Sequence, residues 1–540
     1  MRDCKMGVFF LTVMLSIGLW SAPWALAEET PRRGGILQVA VVGDPPSLDM
    51  HQESTFMVVH PMAPMYNTLI QFDPHGYPNI VGDLAKAWTV SEDYLTYTFT
   101  LHEGVKFHDG SELTSADVKA SWDRIVWPPE GVISPRRGFY KAVKSLEAPD
   151  RSTIVFHLHY PSASFLSMLA APQNFIFAKK YLEQDAQYYK ANVMGTGPFK
   201  VKNIVRGSYI EVERNPNYWK KGFPYLDGIK YFIIKDLSAQ AKALRAGRVD
   251  VELRGFPPSE AEAIKAQLGD KVVLAYPKAI FNWGVALNVD KKPFDDERVR
   301  KALSLAIDRY DMAKTLGPLT GLETAGGPLL HPDSPWALSA EELQALPGYG
   351  KDHAANLQEA KRLMAEAGYP NGFRTVLVNR NVKLPYIDLG VYIISAWKKI
   401  GVEAEHKLEE SATWTQTRVN RDFEVSIDPN GSAIVGDPDQ MFEKYITGGS
   451  VNYSRFSEPL VDALYEQQKK EMNQQKRIQL VKEMQKRVLD KTWWIPGLWW
   501  TRIEARSARM RNYEPHPAHH LNWRFEDVWL AEKQEPGAGG

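Results

Sequence analysis

The sequence is short of cysteine and, beyond its first thirty residues, of long apolar runs. Its single cysteine, Cys4, precedes the apolar stretch MGVFFLTVMLSIGLW. A basic start, this apolar stretch and the small residues Ala25 and Ala27 together form the pattern of a secretory signal peptide. We therefore predict that residues 1–27 are removed and that the mature chain has neither a thiol nor a disulfide.

The position of Cys4 also argues against a lipid anchor, because a lipid-attachment cysteine follows the apolar run of its leader. No later stretch approaches the roughly 18 uninterrupted apolar residues of a membrane-spanning helix. The mature protein is therefore expected to be soluble and periplasmic, with a large core that supplies its stability.

Neither sign of charge is in clear excess. The chain has 65 basic and 65 acidic side chains, and loss of Arg2, Asp3 and Lys5 with the leader leaves a net charge of about −1. This balance gives no basic footprint for nucleic acid or for an anionic membrane. Internal repeats are also lacking, and only the tail 532–540 is expected to be disordered.

Motifs for catalysis, phosphate binding and metal binding are absent or incomplete. No Gly-x-Ser-x-Gly elbow is present, so a secreted hydrolase is kept only as an alternative that turnover would reveal. GTGPFK, residues 195–200, has glycines like a phosphate loop, but Pro198 removes a donor and a strand follows instead of a helix. The histidines of STIVFHLHY and EPHPAHH match no metal-ligand spacing. We predict no enzymatic activity, no metal and no cofactor.

The sequence predicts an α/β protein with two lobes. GILQVAVV, SYIEVER, IKYFIIK and VDVEL read as strands, and SAQAKALRAG reads as a helix between the last two. A second region has the strands FRTVLVNR, VEAEHKL and FEVSID, and then a helical pair or one interrupted helix over 458–491. The apolar TWWIPGLWW leads back through IEARS, so the C-terminus is expected to return to the first lobe.

The stretch VKFHDGSELTSADV, residues 105–118, groups a histidine with acids and serines as an active site would. Its Asp-Gly pair is a strong turn signal, and Thr114 lies three residues before Asp117, a capping-box spacing. We therefore predict a turn and a helix that begins near Ser115, and not a catalytic centre.

Six segments occur in a characteristic order along the chain. They are VKFHDGSELTSADV, GTGPFKV, ERNPNYW, ALRAGRVDV, LNVDKKPFDDERVRKALSLAIDR and LMAEAGYP. In this order they resemble the family-five extracellular solute-binding proteins, which serve ABC importers of peptides, nickel complexes, opines and some oligosaccharides. The resemblance covers about Gly35 to Leu530. It implies a monomer that closes two lobes over a solute and delivers the solute to an inner-membrane permease.

The resemblance also implies how the chain is divided. The expected parts are lobe I from 36–65, 194–282 and 504–531, an extra subdomain over 66–193, and lobe II over 283–503.

The acidic loop DPNGSAIVGDPDQ follows a strand, where α/β lobes commonly bind ligands. Peptide-binding relatives carry Ala-Asp-Tyr-x-Asp-Pro here, and the first Asp pairs with the α-amino group of the peptide. Ile434 replaces that acid, and isoleucine cannot balance a buried ammonium. Family membership favours a peptide ligand, with Asp437 or Asp428 in place of the missing acid. An opine or an oligosaccharide is the alternative, and Asp437 can equally be a helix cap.

Eight residues are candidates for ligand contact. They are Arg254, Phe281, Trp283, Trp414, Asn430, Ser432, Ile434 and Asp437. Arg254 can hold a carboxylate, and the aromatic rings can stack on a sugar or another planar group. Each of them also has an ordinary interpretation as a core or surface residue.

Overall fold

Two large sheets and one smaller sheet organise the computed structural model of the chain. The structure describes residues 30–53, 55–277, 281–324, 329–332, 334–430, 436–449 and 451–532. We call the part built on the seven-stranded sheet the first lobe and the part built on the six-stranded sheet the second lobe. The part built on the four-stranded sheet is the small subdomain.

The seven-stranded sheet of the first lobe mixes parallel and antiparallel pairs. Ile36–Val41 lies at its centre and pairs in parallel with Gly228–Ile233 and with Val251–Glu252. Across the sheet the strands are Val272–Ala275, Glu504–Ser507, Val251–Glu252, Ile36–Val41, Gly228–Ile233, Tyr209–Arg214 and Phe199–Val205. A segment near the C-terminus, Glu504–Ser507, thus lies inside this sheet, while the domain boundaries given above stay predictions.

The small subdomain is an antiparallel sheet covered by helices. Its strands are, in order, Ala85–Val90, Thr96–Leu101, Thr153–Leu158 and Val143–Asp150. Thr96–Leu101 alternates between buried and half-buried side chains, as its period of two predicts. The predicted capping box is confirmed, because the backbone N–H of Thr114 donates to Asp117 at 2.8 Å at the start of the helix Ser115–Val126.

The second lobe is built on a mixed six-stranded sheet. Its strands are, in order, Leu322–Thr324, Trp494–Trp500, Asn282–Leu287, Val425–Asn430, Arg374–Arg380 and Glu403–Glu409. The strands predicted at FRTVLVNR, VEAEHKL and FEVSID are confirmed as the last three of these. The segment 458–491 forms two helices, Pro459–Lys470 and Gln474–Asp490, and so resolves the choice between a pair and one helix.

The other helices and two short hairpins complete the described fold. The helices are Phe56–Met62, Phe165–Leu169, Lys179–Gln184, Leu237–Arg245, Pro258–Leu268, Glu297–Leu305, Arg309–Thr320, Ala340–Gln344, His353–Glu366, Asp388–Lys398, Ser411–Asn420 and Pro438–Phe442. The hairpins pair Ile70–Phe72 with Ile80–Gly82, and Met510–Arg511 with Trp529–Leu530.

The chain passes between the two large sheets through two short segments. One follows Val272–Ala275 and enters the second lobe at Asn282, and the other runs from Trp500 back to Glu504. Phe256 and Ile503 form a bridge beside the second segment, with the N–H of Phe256 donating to Ile503 at 2.8 Å. Short segments of this kind absorb the rotation when two lobes open and close.

The glycines of GTGPFK have a structural cause. A Cβ on Gly197 would lie 2.4 Å from the carbonyl carbon of Met65, and one on Gly195 would lie 2.1 Å from the Met65 oxygen. The strand Phe199–Val205 follows directly. This segment is therefore packed closely against another chain segment and leads into a strand, which agrees with the departure of its sequence from a phosphate loop.

The small subdomain touches the second lobe. The N–H of Ala163 donates to Lys469 O at 3.0 Å, and the hydroxyl of Ser164 donates to the Asp439 carboxylate. The Lys469 ammonium lies 5.0 Å from the ring centre of Tyr160. These contacts join the small subdomain directly to the second lobe.

Candidate ligand-binding cleft

A cavity of about 270 Å³ lies between the two lobes, beside both crossing segments. Its lining residues are Phe56, Arg254, Phe281, Trp283, Arg380, Tyr386, Arg418, Pro429, Lys444, Val451, Tyr453, Trp500, Arg502 and His520. Both lobes contribute, and basic and aromatic side chains predominate.

The indole of Trp500 holds two guanidinium groups at one wall of the cavity. The central carbon of Arg502 lies 4.0 Å from its ring centre and that of Arg254 lies 5.5 Å away. Arg502 also donates to the backbone oxygen of Arg254 at 2.8 Å. Burial and the neighbouring charge of Arg254 lower the pKa of Arg502. Cation–π contacts therefore keep two like charges close together in a buried site.

Arg380 supplies positive charge from the opposite lobe. It ends the strand Arg374–Arg380, donates from Nε to Ser411 Oγ at 2.8 Å, and lies 5.4 Å from the ring of Tyr386. The edge of Trp283 connects the two walls, because its ring lies 5.9 Å from Tyr386 and 5.0 Å from Trp500.

Two further cations of the cavity share one carboxylate. Asp428 is 1% exposed and accepts hydrogen bonds from Arg418 and Lys444. The indole N–H of Trp494 donates to the same carboxylate at 3.0 Å. Burial lowers the pKa of Lys444, and the Asp428 carboxylate opposes that shift. Arg418 and Lys444 therefore share a single negative charge within the second lobe, and one positive charge of this cluster stays without its own anion.

One buried acid lies behind the Arg254 wall. Glu252 accepts hydrogen bonds from the backbone N–H groups of Arg254 at 3.0 Å and Gly255 at 2.5 Å. Burial raises the pKa of Glu252 to about 7, although these donors and Arg254 oppose the shift. The Glu252 side chain thus holds the turn that presents Arg254.

Glu252→Gln is expected to gain stability relative to the wild type as pH rises from about 4.5 to 7.5. Burial raises the pKa of Glu252 in the folded protein from 4.5 to about 7. Over this window the unfolded chain loses the Glu252 proton at a lower pH than the folded protein does, so the wild type loses stability as the pH rises. Glutamine does not ionise, so the free energy of unfolding of the variant should rise relative to that of the wild type by about 3 kcal/mol across this window. Urea unfolding of both proteins across this pH range measures it.

Glu213→Gln is the control, because Glu213 is exposed on the strand Tyr209–Arg214 of the same sheet. Its pH profile should run parallel to that of the wild type. A Glu252→Gln profile that also runs parallel would contradict the raised pKa.

Comparison with known proteins agrees with this architecture. Residues 79–453 match the middle region of the bacterial extracellular solute-binding proteins, family 5. The chain belongs to this family. The family-five chain is 29% identical to heme-binding protein A of Haemophilus influenzae over 484 residues, which are 84% of this chain and 85% of that protein.

Two solved structures show the same two-lobed fold. DppA of Helicobacter pylori, an ABC transporter-associated periplasmic binding protein in complex with the peptide STSA, has a TM-score of 0.80 and 25% identity, with 93% of this chain and 99% of that chain covered. AgaA of Agrobacterium tumefaciens R10 in complex with agropinic acid has a TM-score of 0.76 and 25% identity, with 92% and 99% covered. Members of family five thus bind chemically different solutes in one fold.

Three of the predicted contact residues line the cavity of this family-five protein. They are Arg254, Phe281 and Trp283. Phe281 and Trp283 lie at the first crossing segment and Arg254 follows the strand Val251–Glu252, and the role of each in binding stays a prediction.

Two other candidates lie one layer behind the cavity. Trp414 is 4% exposed, and its ring lies 4.2 Å from the guanidinium of Arg418. Asn430 is fully buried at the end of its strand, opposite Asn282 in the register. Trp414 thus packs against a lining residue, and neither Trp414 nor Asn430 lines the cavity itself. Ser432 and Ile434 lie outside the described residues.

For Asp437 the structure shows the helix-cap alternative. Its carboxylate accepts from the backbone N–H of Asp439 at the start of Pro438–Phe442, as a helix cap does. It also binds Arg477 at 2.8 and 3.1 Å. Asp428, the other acid considered, is occupied by Arg418 and Lys444. Each acid already has a buried cationic partner, so neither offers an open site for a ligand ammonium.

Several lining residues were missed by the sequence reasoning. They include Arg380, Arg418, Lys444, Trp500 and Arg502. A signal existed for two of them, because Trp500 ends an apolar strand and Arg502 follows it at the return to the first lobe. The apolar character of TWWIPGLWW gave no indication of ligand contact.

Within the described parts of the chain, no three histidine, cysteine or acidic residues lie together as a metal site would require. His157 instead lies 3.4 Å from Glu147 on the neighbouring strand. In the same parts, no helix has the length and apolar character that a membrane crossing requires.

Proposed function

We propose that the chain is the periplasmic receptor of an ABC importer, which captures a solute between its lobes and delivers it to an inner-membrane permease. The observation that carries this proposal is the cavity with walls from both lobes, at the two crossing segments. A solute that touches both walls stabilises the closed form, and the closed form presents a surface that the permease can bind.

Closure on this proposal is a binding event without covalent chemistry. Contacts between Ser164 and Asp439 and between Ala163 and Lys469 join the small subdomain to the second lobe. They add to the stability of the closed form once a solute has brought the lobes together. A monomer with a cleaved leader and no bound nucleic acid fits this role.

A peptide is the first ligand class for the cleft, in keeping with the DppA complex with STSA. An opine is the second, in keeping with the AgaA complex with agropinic acid. The choice between a peptide and an opine depends on how the protein would bind the α-ammonium group of a peptide. Asp428 and Asp437 are both paired with cations of the protein and are not open to such a group. An oligosaccharide could use the aromatic walls, but the many cations of the cavity favour the two classes that carry carboxylates.

The test is closure of the purified mature protein in solution. Small-angle X-ray scattering is recorded with and without a mixture of di- to pentapeptides, an opine mixture, oligosaccharides and a bacterial metabolite extract. We expect one of these to reduce the radius of gyration and to raise the melting temperature. A solute at 100 times its Kd adds about 2.7 kcal/mol to the folded state.

Trp500→Ala serves as the loss-of-binding variant, since Trp500 holds both Arg254 and Arg502. Trp127→Ala is its control, because Trp127 is 47% exposed at the end of a helix of the small subdomain. Failure of every mixture and of the extract to close the wild type, or turnover of any of them, would refute the proposed function.

A further inference from the structure

Positive charge exceeds negative charge around the cavity. Two of its five cations share Asp428, as described above. The other three are Arg254, Arg380 and Arg502, and among the residues that the structure describes no carboxylate lies within 4 Å of their nitrogen atoms. Glu252 is the acid behind Arg254, and both its oxygens accept backbone N–H groups. Even with Glu252 counted as charged, an uncompensated positive charge faces the cavity.

These three guanidinium groups also have unused hydrogen-bonding capacity. A guanidinium carries five N–H donors in a planar fork. Arg254 has a buried Nε without a partner in the described chain, and Arg502 donates one bond to a backbone oxygen. Arg380 donates to Ser411 at 2.8 Å and to Tyr386 at 3.4 Å. The remaining donors suit the planar, bidentate recognition of carboxylates.

The three groups come from opposite sides of the cleft. Arg254 and Arg502 flank Trp500 beside the first lobe, while Arg380 ends a strand of the second lobe. Closing the lobes brings like charges toward each other. Burial lowers the pKa of Arg254, and the charge of Arg380 lowers it further. An anion at each wall would turn this repulsion into attraction, so closure would depend on the ligand charge.

We infer that the solute is a compact molecule with at least two carboxylate groups, one bound by Arg254 and Arg502 and the other by Arg380. This inference rests on the proposed function and names the ligand class of the same cleft. The cavity of about 270 Å³ is slightly smaller than the range for small-molecule sites, roughly 300–1,000 Å³, and therefore favours a short acidic peptide or an opine over a long peptide.

The test compares ligands of similar size and different charge. The probes are the dipeptides Glu-Glu, Gln-Gln and Lys-Lys and the opine-type compound N-(1-carboxyethyl)-glutamate, measured by isothermal titration. We expect binding of Glu-Glu or of the opine-type compound, with a Kd at least about tenfold lower than that of Gln-Gln, the difference expected for one charge-assisted bond. Lys-Lys should not bind. Which of the two acids binds more tightly distinguishes a peptide source from an opine source.

The variants Arg254→Gln, Arg380→Gln and Arg502→Gln should each raise the Kd of the bound acid at least about tenfold. Their unliganded melting temperatures should stay the same or rise, because each substitution removes a repulsive charge; a residue needed only for folding would lower them. Arg374→Gln is the matched control, since Arg374 lies at the other end of the same strand as Arg380 and its side chain is 89% exposed.

Three results would overturn the inference. The first is a Kd for Gln-Gln or Lys-Lys that is equal to or lower than the Kd of the acidic probes. The second is an unchanged Kd of the bound acid in all three variants, and the third is binding of none of the four probes. If the metabolite extract still closes the wild type in the scattering experiment, the inference on charge fails while the proposed function stands. If nothing closes the wild type, both fail.

Discussion

Replacing Arg477 with methionine is expected to lower the free energy of unfolding by about 3–5 kcal/mol, the usual cost of removing one partner of a buried ion pair. Arg477 binds Asp437 through two nitrogen atoms and Asp439 at 3.3 Å. The three side chains are only 6, 8 and 9% exposed. Without the guanidinium, two carboxylates would face each other in the interior of the second lobe.

Urea unfolding followed by tryptophan fluorescence measures this loss. Lys476→Met is the control, because Lys476 is the exposed neighbour of Arg477 on the helix Gln474–Asp490. Its unfolding free energy should stay within about 0.5 kcal/mol of the wild type. A similarly small change for Arg477→Met would show that the two acids do not depend on this arginine.

Asp428→Asn is expected to lower the free energy of unfolding by a similar amount, about 3–5 kcal/mol, because here the anion of a buried ion cluster is removed instead of the cation. It would leave Arg418 and Lys444 buried, with side chains 8% and 6% exposed, and without their shared anion. The indole N–H of Trp494 would keep an acceptor if the amide oxygen of asparagine faces it. The loss therefore measures charge balance more than hydrogen bonding.

A second substitution separates these contributions. In the double variant Asp428→Asn with Lys444→Met, one unpaired cation is removed, and we expect recovery of at least about 1 kcal/mol by the same urea assay. Asp422→Asn, on an exposed position just before the strand Val425–Asn430, should leave stability unchanged. Strictly additive losses in the double variant would contradict a shared ion cluster.

Local features of the fold were predictable from the sequence. The Thr114–Asp117 capping box and the helix Ser115–Val126 depend on side chains three residues apart, so the printed letters are sufficient. The strand Arg374–Arg380 likewise follows from its own alternation and β-branched residues. The motif order of the family supplied the two-lobed arrangement, which no single segment encodes.

The charge balance of the cleft was not predictable in this way. Whether an acid is open to a ligand depends on partners far along the chain: Asp437 is bound by Arg477, forty positions away. Asp428 is bound by Lys444, sixteen positions away. A loop rich in aspartate therefore looked like a site for a cation, although folding had already supplied its cations. The same folding left Arg502, in a segment that reads as core, facing the cavity.

The return crossing places Trp500 and Arg502 within the few residues that must bend when the lobes separate. On the proposed function, the same segment both bends between the lobes and contacts the solute. A substitution there would then change both how tightly the solute is bound and how readily the protein opens at the membrane. Residence time and release are thus coupled through a single stretch of backbone, and a tighter receptor made by altering this stretch would also be a slower donor to its transporter.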